Sequence, residues 1–271
     1  AGGLGPVTAK LSAEGPFAAG KGSFLLAVRG AYSDWILKQV NIPEVSRSEA
    51  GFFDGNLLLH YDLTDADELR LSLYQANDNF VYNQEFGFDY TTRSLEAGYT
   101  RKIREGLKSE LSVVANQLKN TRSELAGIGT GTLENGISYY KVKEVVRRQD
   151  EEWSWAAGLE AILYRVPGQS QTPLGENSTL PTLSLEDERG WEAALFGEVN
   201  WQLSEEWSIK GGLRLNSYQY IGARTLLDYG PDGSYTLANV VDTLRYDPGK
   251  IIETYRTLEP RLSVRYQLMP S

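Results

Sequence analysis

The chain offers few side chains that could carry out catalysis. It contains one histidine, His60, and no cysteine among its 271 residues. A hydrolase or acyltransferase needs a general base beside a nucleophile or an activated water. His60 lies in the polar phase of a predicted strand, close to the end of that strand. We therefore expect His60 to have a structural role, and we predict no catalytic residue and no enzyme activity.

Carboxylates gather at two short turns and raise the question of a metal site. The residues at these turns are Asp62, Asp65, Asp67 and Glu68, and then Asp150, Glu151 and Glu152. Carboxylates at this density could bind calcium, but the regular ligand spacing of a calcium loop is lacking. The absence of cysteine excludes disulfides and thiolate metal sites. We predict neither a metal site nor a cofactor.

Hydrogen-bonding and aromatic side chains at the ends of two predicted strands are the best candidates for a ligand site. Aromatic faces can stack on sugars or chelators, and arginine pairs with carboxylates. The candidate residues are Asn77, Asp78, Asn79, Tyr82, Asn83, Tyr218, Tyr220 and Arg224. Tyrosines also favour membrane interfaces, so part of this set has a membrane girdle as its alternative explanation.

The elements that position these side chains are strands with alternating apolar and polar residues. In residues 189–203, Trp191 and Leu195 fall on one side and Glu192 and Glu198 on the other. A period of two indicates a strand with one apolar face. Such segments are ten to sixteen residues long, whereas strands of soluble sandwiches usually have about five or six residues. This length, with a charged second face, is typical of a tilted strand that crosses a bilayer.

The chain is predicted to be all-β, with about eleven such strands in an antiparallel transmembrane β-barrel. The predicted strands are 4–13, 22–32, 51–62, 68–80, 88–103, 107–119, 137–147, 152–165, 189–203, 207–221 and 252–268. Short connections at 14–21, 64–67, 104–106, 148–151 and 204–206 alternate with longer ones at 33–50, 81–87, 120–136, 166–188 and 222–251. Periplasmic turns of such barrels are short and extracellular loops long, so we expect the longer connections to be extracellular. Residues 229–234 are predicted to form a turn at the tip of the longest loop.

Aromatic residues at one set of strand ends support this orientation. They are Tyr61, Tyr99, Trp153, Trp201, Trp207 and Tyr266, all in the apolar phase near the short turns. Amphipathic rings prefer the headgroup level of a membrane, so this set predicts a periplasmic girdle. The general preference of aromatic residues for strands is the alternative explanation.

Composition narrows the choice of partners. The chain carries 36 acidic and 27 basic residues, a net charge of -9, which argues against a nucleic-acid partner. Its mean hydropathy of -0.37 resembles that of a soluble protein. Barrels also give such values because their apolar residues occupy alternate positions. The sequence has neither an apolar run of about eighteen residues nor a basic and apolar leader, so we expect that any signal peptide has been removed. A soluble all-β binding module remains the less favoured alternative.

The strand count suggests that the barrel is incomplete. Single-chain bacterial barrels have an even number of strands, and eleven is odd. The last predicted strand ends at Met269, Pro270 and Ser271 without a closing partner. An open edge in lipid would leave backbone groups unsatisfied at several kcal/mol each. We therefore expect residues 1–271 to form one incomplete domain, in which strand 252–268 pairs with 207–221 and not with 4–13.

Two hairpins resemble a known family. Residues Leu195 to Leu203 and Trp207 to Leu215, joined by a tight turn, resemble a hairpin of the TonB-dependent outer-membrane receptors. Residues Leu258 to Tyr266, with Glu259-Pro260-Arg261, are similar to the strand that follows in that family, and residues 15–32 resemble an earlier hairpin. The resemblance implies a barrel of twenty-two strands with an N-terminal plug domain. This chain would then hold about half of the barrel and no plug.

The resemblance also implies a function and partners. It implies energy-dependent import of a small nutrient, such as a siderophore–iron complex, a cobamide or an oligosaccharide, across the bacterial outer membrane. The implied partners are outer-membrane lipid, the nutrient, and the TonB complex acting through a plug domain that this chain lacks. A porin-like or assembly-related outer-membrane barrel is the alternative within the membrane class.

Overall fold

The computed structural model describes residues 1–230 and 235–268, and most of them belong to antiparallel β-sheet. The strands are β1 (Gly2–Leu4), β2 (Thr8–Phe17), β3 (Gly22–Tyr32), β4 (Glu49–Asp62), β5 (Asp67–Tyr82), β6 (Phe86–Arg104), β7 (Leu107–Glu124), β8 (Gly131–Gln149), β9 (Trp153–Val166), β10 (Ser170–Pro173), β11 (Leu183–Ser184), β12 (Glu188–Gln202), β13 (Trp207–Ile221), β14 (Arg224–Asp228), β15 (Asp242–Tyr246) and β16 (Ile251–Tyr266). Two short helices, α1 (Asp34–Leu37) and α2 (Pro43–Ser46), lie between β3 and β4, and 3₁₀ turns lie at Ala18–Gly20 and Leu237–Asn239. In the described part of the chain, no helix is long and apolar enough to cross a membrane.

The eleven long strands are the eleven that alternation predicted, and they form one meander. The order across the sheet is β2-β3-β4-β5-β6-β7-β8-β9-β12-β13-β16, with β1 added to β2 at one edge. β16 pairs with β13, with Leu258 opposite Leu215, and no described residue pairs with its other edge. The sheet is therefore open, and the prediction that the last strand does not close onto the first is confirmed.

The two faces of this sheet have opposite chemistry. Cross-strand register places Leu159, Leu195 and Leu215 side by side on one face, which we call the outer face. The residues between these, one position along each strand, point to the opposite face, which we call the inner wall. Most of the charged side chains of the long strands lie on this inner wall. The charged side chains on this inner wall include the nine that alternation predicted: Arg29, Arg70, Glu96, Glu110, Glu160, Glu198, Arg214, Arg261 and Arg265. Apart from single outer-face residues such as Glu144 and the upper ends of β5 to β8, the predicted division into an apolar and a polar phase is preserved across the sheet.

No second layer covers the outer face among the described residues. The buried apolar side chains of the described residues are few and mostly small: Ala76, Val114, Val145, Ala156 and Ala194. Leu159 is 60% exposed and Leu195 is 52% exposed. A soluble sandwich would bury such leucines against a second sheet about 10 Å away. A single layer with a continuous apolar outer face is the arrangement that lipid can cover.

Strand stagger gives the tilt of the sheet. We call the end with connections 18–21, 63–66, 105–106, 150–152 and 203–206 the lower end. Tyr61 stands at the lower end of β4, and it lies in register with Leu215 of β13, seven strands away. Leu215 in turn lies eight residues above Trp207, which stands at the lower end of β13. The register runs through Leu69, Tyr99, Leu111, Glu144, Leu159 and Leu195. At ~3.3 Å per residue and ~4.8 Å per strand this stagger corresponds to a tilt of ~38°, within the range of about 35–45° seen in transmembrane barrels.

The strands extend further at the upper end than the sequence pattern predicted. β5 to β8 contain 16 to 19 residues each, and the expected long connection at 81–87 shrinks to residues 83–85. On the outer face of these strands, Gln75, Arg93 and Gln117 lie in register where the apolar residues stop. Above this level the outer face is mostly polar, whereas the inner wall of β5 and β6 carries aromatic residues such as Phe80, Phe86 and Phe88, so the apolar outer phase ends although the backbone pairing continues. The sequence pattern therefore predicted upper ends for these strands that are too low.

The remaining differences concern the ends and the loops. The predicted strand 4–13 is divided into β1 and a later β2, whose pairing with β3 continues to Phe17. The predicted loop 166–188 contains β10 and β11, and the predicted loop 222–251 contains the hairpin β14–β15. Short strands in loops lack enough residues to establish a period. Residues 231–234 of the predicted tip turn, and the chain end at 269–271, lie outside the described residues.

Candidate functional site

An ionic cluster lies on the inner wall of β8, β9, β12 and β13. Arg214 Nη2 lies 2.8 Å from Glu160 Oε1 and 3.5 Å from Glu192 Oε1, and Lys143 Nζ lies 3.9 Å from Glu160 Oε2. The Glu160 side chain is 11% exposed and that of Arg214 is 23% exposed. Partly buried charges of this kind are retained only when they are paired. We call these four residues the inner-wall cluster.

A phenylalanine ring supports the two cations of this cluster. Lys143 Nζ lies 5.2 Å and Arg214 Cζ 5.7 Å from the centre of the Phe196 ring, within cation–π range. The ring lies against Gly158 on the neighbouring strand, where a Cβ atom would come within 2.6 Å of Phe196 Cζ. Glycine at position 158 therefore allows the ring to lie flat on the wall and hold both cations above it.

A row of four tyrosines runs across the wall above the cluster. Tyr139, Tyr164, Tyr218 and Tyr255 stand on β8, β9, β13 and β16, and each ring centre lies 6.3 Å from the next. The Tyr164 hydroxyl lies 3.1 Å from Glu192 Oε2, which joins the row to the cluster. Asn116 donates a hydrogen bond to the Tyr139 hydroxyl. We call these four residues the tyrosine row.

Together the row and the cluster form a surface suited to binding. Ring faces offer apolar stacking area, and hydroxyls, carboxylates and a guanidinium within the same patch offer hydrogen bonds and charge. Among the sequence candidates only Tyr218 belongs to the row; the other three tyrosines were missed. Part of their signal was available, because all three lie in the polar phase, and Tyr164 and Tyr255 lie near the upper ends of β9 and β16.

Two further residues that the sequence suggested as ligand contacts, Tyr220 and Arg224, lie close to Tyr218. Tyr220 lies two residues above Tyr218 on the same face. Arg224 Nη2 lies 3.1 Å from Glu188 Oε1, and its Nη1 donates a 3.0 Å hydrogen bond to the Glu186 carbonyl. The structure thus brings Tyr218, Tyr220 and Arg224 into one neighbourhood. Their role in ligand binding stays a prediction.

The candidates on β5 are divided between the two faces. Asp78 and Tyr82 fall on the inner wall, whereas Asn77 and Asn79 fall on the outer face, where Asn77 Nδ2 donates a 2.8 Å bond to Thr91. Asn83 lies in the turn after β5, and its amide donates to the Ser48 hydroxyl at 2.9 Å. β5 stands six strands from β13 in the sheet. The structure therefore does not bring this group together with Tyr218.

His60 lies on the inner wall near the lower end, between two carboxylates. Its Nε2 is 3.1 Å from Asp62 Oδ1 and its Nδ1 is 3.4 Å from Glu68 Oε1, while Arg70 Nε is 3.3 Å from the same Glu68 oxygen. His60, Asp62 and Glu68 offer ligand atoms within 4.8 Å of one another. The two carboxylates face opposite ring nitrogens, however, and Arg70 already neutralises Glu68. This geometry fits ion pairing, and a structural role for His60 remains our expectation.

Substitution of Gly190 should disturb the tyrosine row. A Cβ atom there would lie 2.3 Å from the Tyr218 hydroxyl oxygen and 2.6 Å from Cζ, because this ring lies over β12. We expect Gly190→Ala to lower the free energy of unfolding of the full-length protein in vesicles by about 1–3 kcal/mol. Gly211→Ala is the control, because nothing lies within 4 Å of a Cβ there. Equal effects of the two changes would contradict the packing of Tyr218 over Gly190.

Asp187 connects the loop above β9 to the strand end. Its Oδ1 accepts a 3.1 Å bond from the Gly168 amide and its Oδ2 a 2.8 Å bond from Arg165 Nη2. The Gly168 amide, and then Arg165, lower the pKa of Asp187 below its usual value. A lowered folded-state pKa stabilises this link above about pH 4, the ordinary value for aspartate, and the stabilisation is lost as pH falls through the folded-state pKa.

The loop should therefore loosen in acid. We expect Asp187→Ala to speed amide hydrogen exchange in residues 167–186 at pH 7, and we expect this difference from the unmodified protein to shrink as pH falls below about 4 and through the lowered folded-state pKa of Asp187. Glu176→Ala, at an exposed position of the same loop, is the control and should leave exchange unchanged. A difference that persists at low pH would show that the Asp187 carboxylate is not the source.

Comparison with known proteins gives one family and a set of solved structures. The sequence model of the family described as "TonB dependent receptor-like, beta-barrel" matches residues 14–271. "Copper transporter OprC" aligns with a TM-score of 0.64 and 14% identity over 98% of this chain and 43% of that one. The ferripyoverdine receptor of Pseudomonas aeruginosa gives 0.67 and 11% over 97% and 38%. The "ferric citrate transporter FecA" gives 0.66 and 13% over 97% and 39%.

These likenesses concern the fold, since the identities are low. This chain spans about two-fifths of the length of the solved structures that it matches. Among curated proteins none matches the sequence.

Proposed function

We propose that this chain, which belongs to the TonB-dependent receptor-like β-barrel family, forms about half of the wall of an outer-membrane receptor. The receptor would import a small nutrient. The observation that carries the proposal is the division of a tilted single-layer sheet into an apolar outer face and a charged inner wall. Lipid is the solvent for the first face and water for the second. The remaining strands and the parts that couple transport to energy would come from other segments of the protein.

The tyrosine row and the inner-wall cluster support a role in holding the nutrient on its way through the barrel. Rings at 6.3 Å intervals, with Glu192 and Arg214 below them, suit a polar organic molecule or chelate with some apolar surface. A siderophore–iron complex, a cobamide and an oligosaccharide all have this character. The solved neighbours are named for copper, ferripyoverdine and ferric citrate, and these names belong to those proteins.

The proposed partners follow from the same assignment. Outer-membrane lipid would surround the outer face, and the TonB complex would act through a plug domain encoded outside these residues. We propose a location in the bacterial outer membrane and no catalytic activity.

Uptake measurements with the full-length gene test the proposal. A strain that lacks the gene should lose uptake of one labelled nutrient from the three classes named above, and uptake should also disappear when TonB is deleted. Uptake that persists without TonB would instead indicate a passive pore. Recovery of the protein in the soluble fraction, without detergent, would favour a soluble binding module.

The orientation has a test of its own. An epitope tag inserted beside Glu176, in the long connection between β9 and β12, should bind antibody on intact cells because extracellular loops of barrels are long and exposed. The control is the same tag beside Glu205, in the short turn between β12 and β13, which should bind only after lysis. Labelling of intact cells at Glu205 would reverse the orientation.

A further inference from the structure

A recess lies on the inner wall at the upper ends of β4, β5 and β6. Its volume is about 380 Å³, and its lining includes four aromatic side chains and one carboxylate: Phe52, Phe80, Phe88, Tyr90 and Asp78. The three strands lie inside the sheet, with β3 paired to one side of them and β7 to the other. We call these five residues the aromatic box.

Cross-strand register places the carboxylate of the box between two rings. Asp78 stands directly opposite Phe52 on β4 and directly opposite Tyr90 on β6. Phe80 and Phe88 face each other in the row above, and the Phe88 and Tyr90 rings are stacked with centres 6.4 Å apart. Neighbouring strands are ~4.8 Å apart, so a charged group on the Asp78 carboxylate comes within ~6 Å of rings on both sides, the range of cation–π contacts.

Small side chains leave the space that these rings surround. Ala31 lies opposite Phe52, Ala50 lies opposite Phe80, and both line the recess. Sites for whole small molecules usually measure roughly 300–1,000 Å³. A recess of about 380 Å³ therefore suits one charged group with its substituents better than a whole chelate.

Asp78 gives the box a negative charge that the neighbouring cation does not balance. Arg29 Nε lies 2.5 Å from Asp54 Oδ2, so these two charges cancel each other. Within residues 1–230 and 235–268, Asp78 has no ion-pair partner within 4.0 Å. Arg29 Cζ also lies 5.4 Å from the centre of the Phe52 ring, so a ring of this wall already holds one cation.

The box stands above the apolar band, where water reaches it. The apolar residues on the outer face of β5 stop at Gln75, and Asp78 lies three residues further up. With a tilt of ~38°, three residues correspond to ~8 Å of height. Asp78, Phe80 and Tyr90 are exposed on the inner wall. In the proposed orientation, a ligand that arrives from outside the cell meets this level first.

The tyrosine row lies further along the same wall. Tyr139 stands on β8, two strands from Tyr90 and four residues lower, as the pairing of Asn120 with Tyr90 and of Asn116 with Tyr139 shows. This offset corresponds to ~16 Å within the sheet. One organic molecule could therefore leave the box and reach the tyrosine row without leaving the wall.

An organic cation fits the box better than a metal ion or an anion. A calcium ion takes about six to eight oxygen ligands, and the box offers one carboxylate. The same carboxylate repels anions. A quaternary or protonated amine instead brings apolar C–H groups to the ring faces and its charge to Asp78, which is how aromatic cages recognise such groups.

We propose that the aromatic box binds an organic cation, a quaternary ammonium or protonated amine group of the imported nutrient. The box would hold this group while the rest of the molecule turns towards the tyrosine row. The proposal deepens the proposed import function, and it rests on that function for the assignment of the ligand as a nutrient.

Choline is the probe for the box, and dimethylbutanol, in which carbon replaces the charged nitrogen, is the matched ligand. The two molecules have the same shape and differ in charge. Titration of the purified full-length protein in detergent, followed by saturation-transfer NMR, gives both dissociation constants. We expect choline to bind about ten-fold more tightly than dimethylbutanol, because the rings and the carboxylate both act on the charge.

Two matched pairs of variants locate the binding site. Asp78→Asn removes the charge of the box, and Asp89→Asn makes the same change on the outer face of β6. Tyr90→Leu removes one ring, and Tyr140→Leu does so on the outer face of β8. We expect Asp78→Asn to weaken choline binding about ten-fold and Tyr90→Leu about five-fold, whereas the two outer-face controls should bind as the unmodified protein does.

The binding of dimethylbutanol separates loss of charge from loss of structure. Asp78→Asn should leave it unchanged, because this ligand carries no charge for the carboxylate to attract. Unchanged choline binding by Asp78→Asn, or equal binding of choline and dimethylbutanol to the unmodified protein, would overturn the proposal.

Uptake by cells tests the proposed function separately. Choline binding to the box in a protein without TonB-dependent uptake would overturn the import function and leave the box in place. TonB-dependent uptake at the normal rate in cells that carry Asp78→Asn would instead overturn the assignment of the cation to the nutrient.

Discussion

Leu73→Arg should lower the free energy of unfolding of the full-length protein in vesicles by about 2–4 kcal/mol, whereas Ser72→Arg should cost less than about 1 kcal/mol. The two residues are neighbours on β5 and face opposite sides of the sheet: Leu73 lies beside Leu57 and Leu95 on the outer face. An arginine there must stand in hydrocarbon near the middle of the apolar band. At position 72 it faces water and lies opposite Glu96 on the inner wall.

The measurement is the equilibrium between folding into lipid vesicles and unfolding in urea. The two variants act as controls for each other, because both place an arginine at the same height. Because height, strand and introduced residue are shared, the difference isolates the face. Equal costs for the two variants would contradict the assignment of lipid to the outer face. A larger cost for Ser72→Arg would reverse it.

Arg214→Met should lower the free energy of unfolding by about 2–4 kcal/mol, because it leaves Glu160 and Glu192 facing each other without a nearby guanidinium. Glu160 is 11% exposed, so water screens the resulting repulsion only in part. The double variant Arg214→Met with Glu160→Leu should be more stable than the sum of the single effects predicts, since it also removes the carboxylate that Arg214→Met leaves without its guanidinium partner.

Lys210→Met provides the control for this second prediction. Lys210 pairs with Glu198 at 3.0 Å on the same wall, but its side chain is 53% exposed and that of Glu198 is 42% exposed. Exposed pairs contribute about 0–1 kcal/mol, so this change should have a small effect. In the double-mutant cycle of Arg214→Met and Glu160→Leu, strictly additive changes in the free energy of unfolding would contradict the coupling within the inner-wall cluster.

Much of the fold could be predicted from local sequence, and particular strands show why. In β12 and β13, Trp191 to Leu203 and Trp207 to Leu215 alternate with Ala194 and Phe196 as the exceptions, so period, face and hairpin turn were all visible in one segment. The same signal failed above the apolar band of β5 to β8, where the outer face is mostly polar and aromatic residues such as Phe88 stand on the inner wall. It also failed for β10, β11, β14 and β15, which are too short to display a period.

The candidate site was only partly visible. Tyr218 could be selected because it stands near a strand end in the polar phase, but its partners Tyr139, Tyr164 and Tyr255 come from strands separated by up to 116 residues of sequence. Asn77 and Tyr218 were grouped because both lie near upper strand ends. Six strands of sheet separate them, and Asn77 faces outward.

The sequence by itself determined which residues face lipid and which face the inner wall, because the side-chain period of a strand is two and a strand carries that information within itself. Only the tertiary structure decided which residues stand side by side. Each neighbour is fixed by the stagger between paired strands, which adds up across the sheet and depends on both members of every pair. For that reason the tyrosine row and the inner-wall cluster appeared only when the strands were assembled.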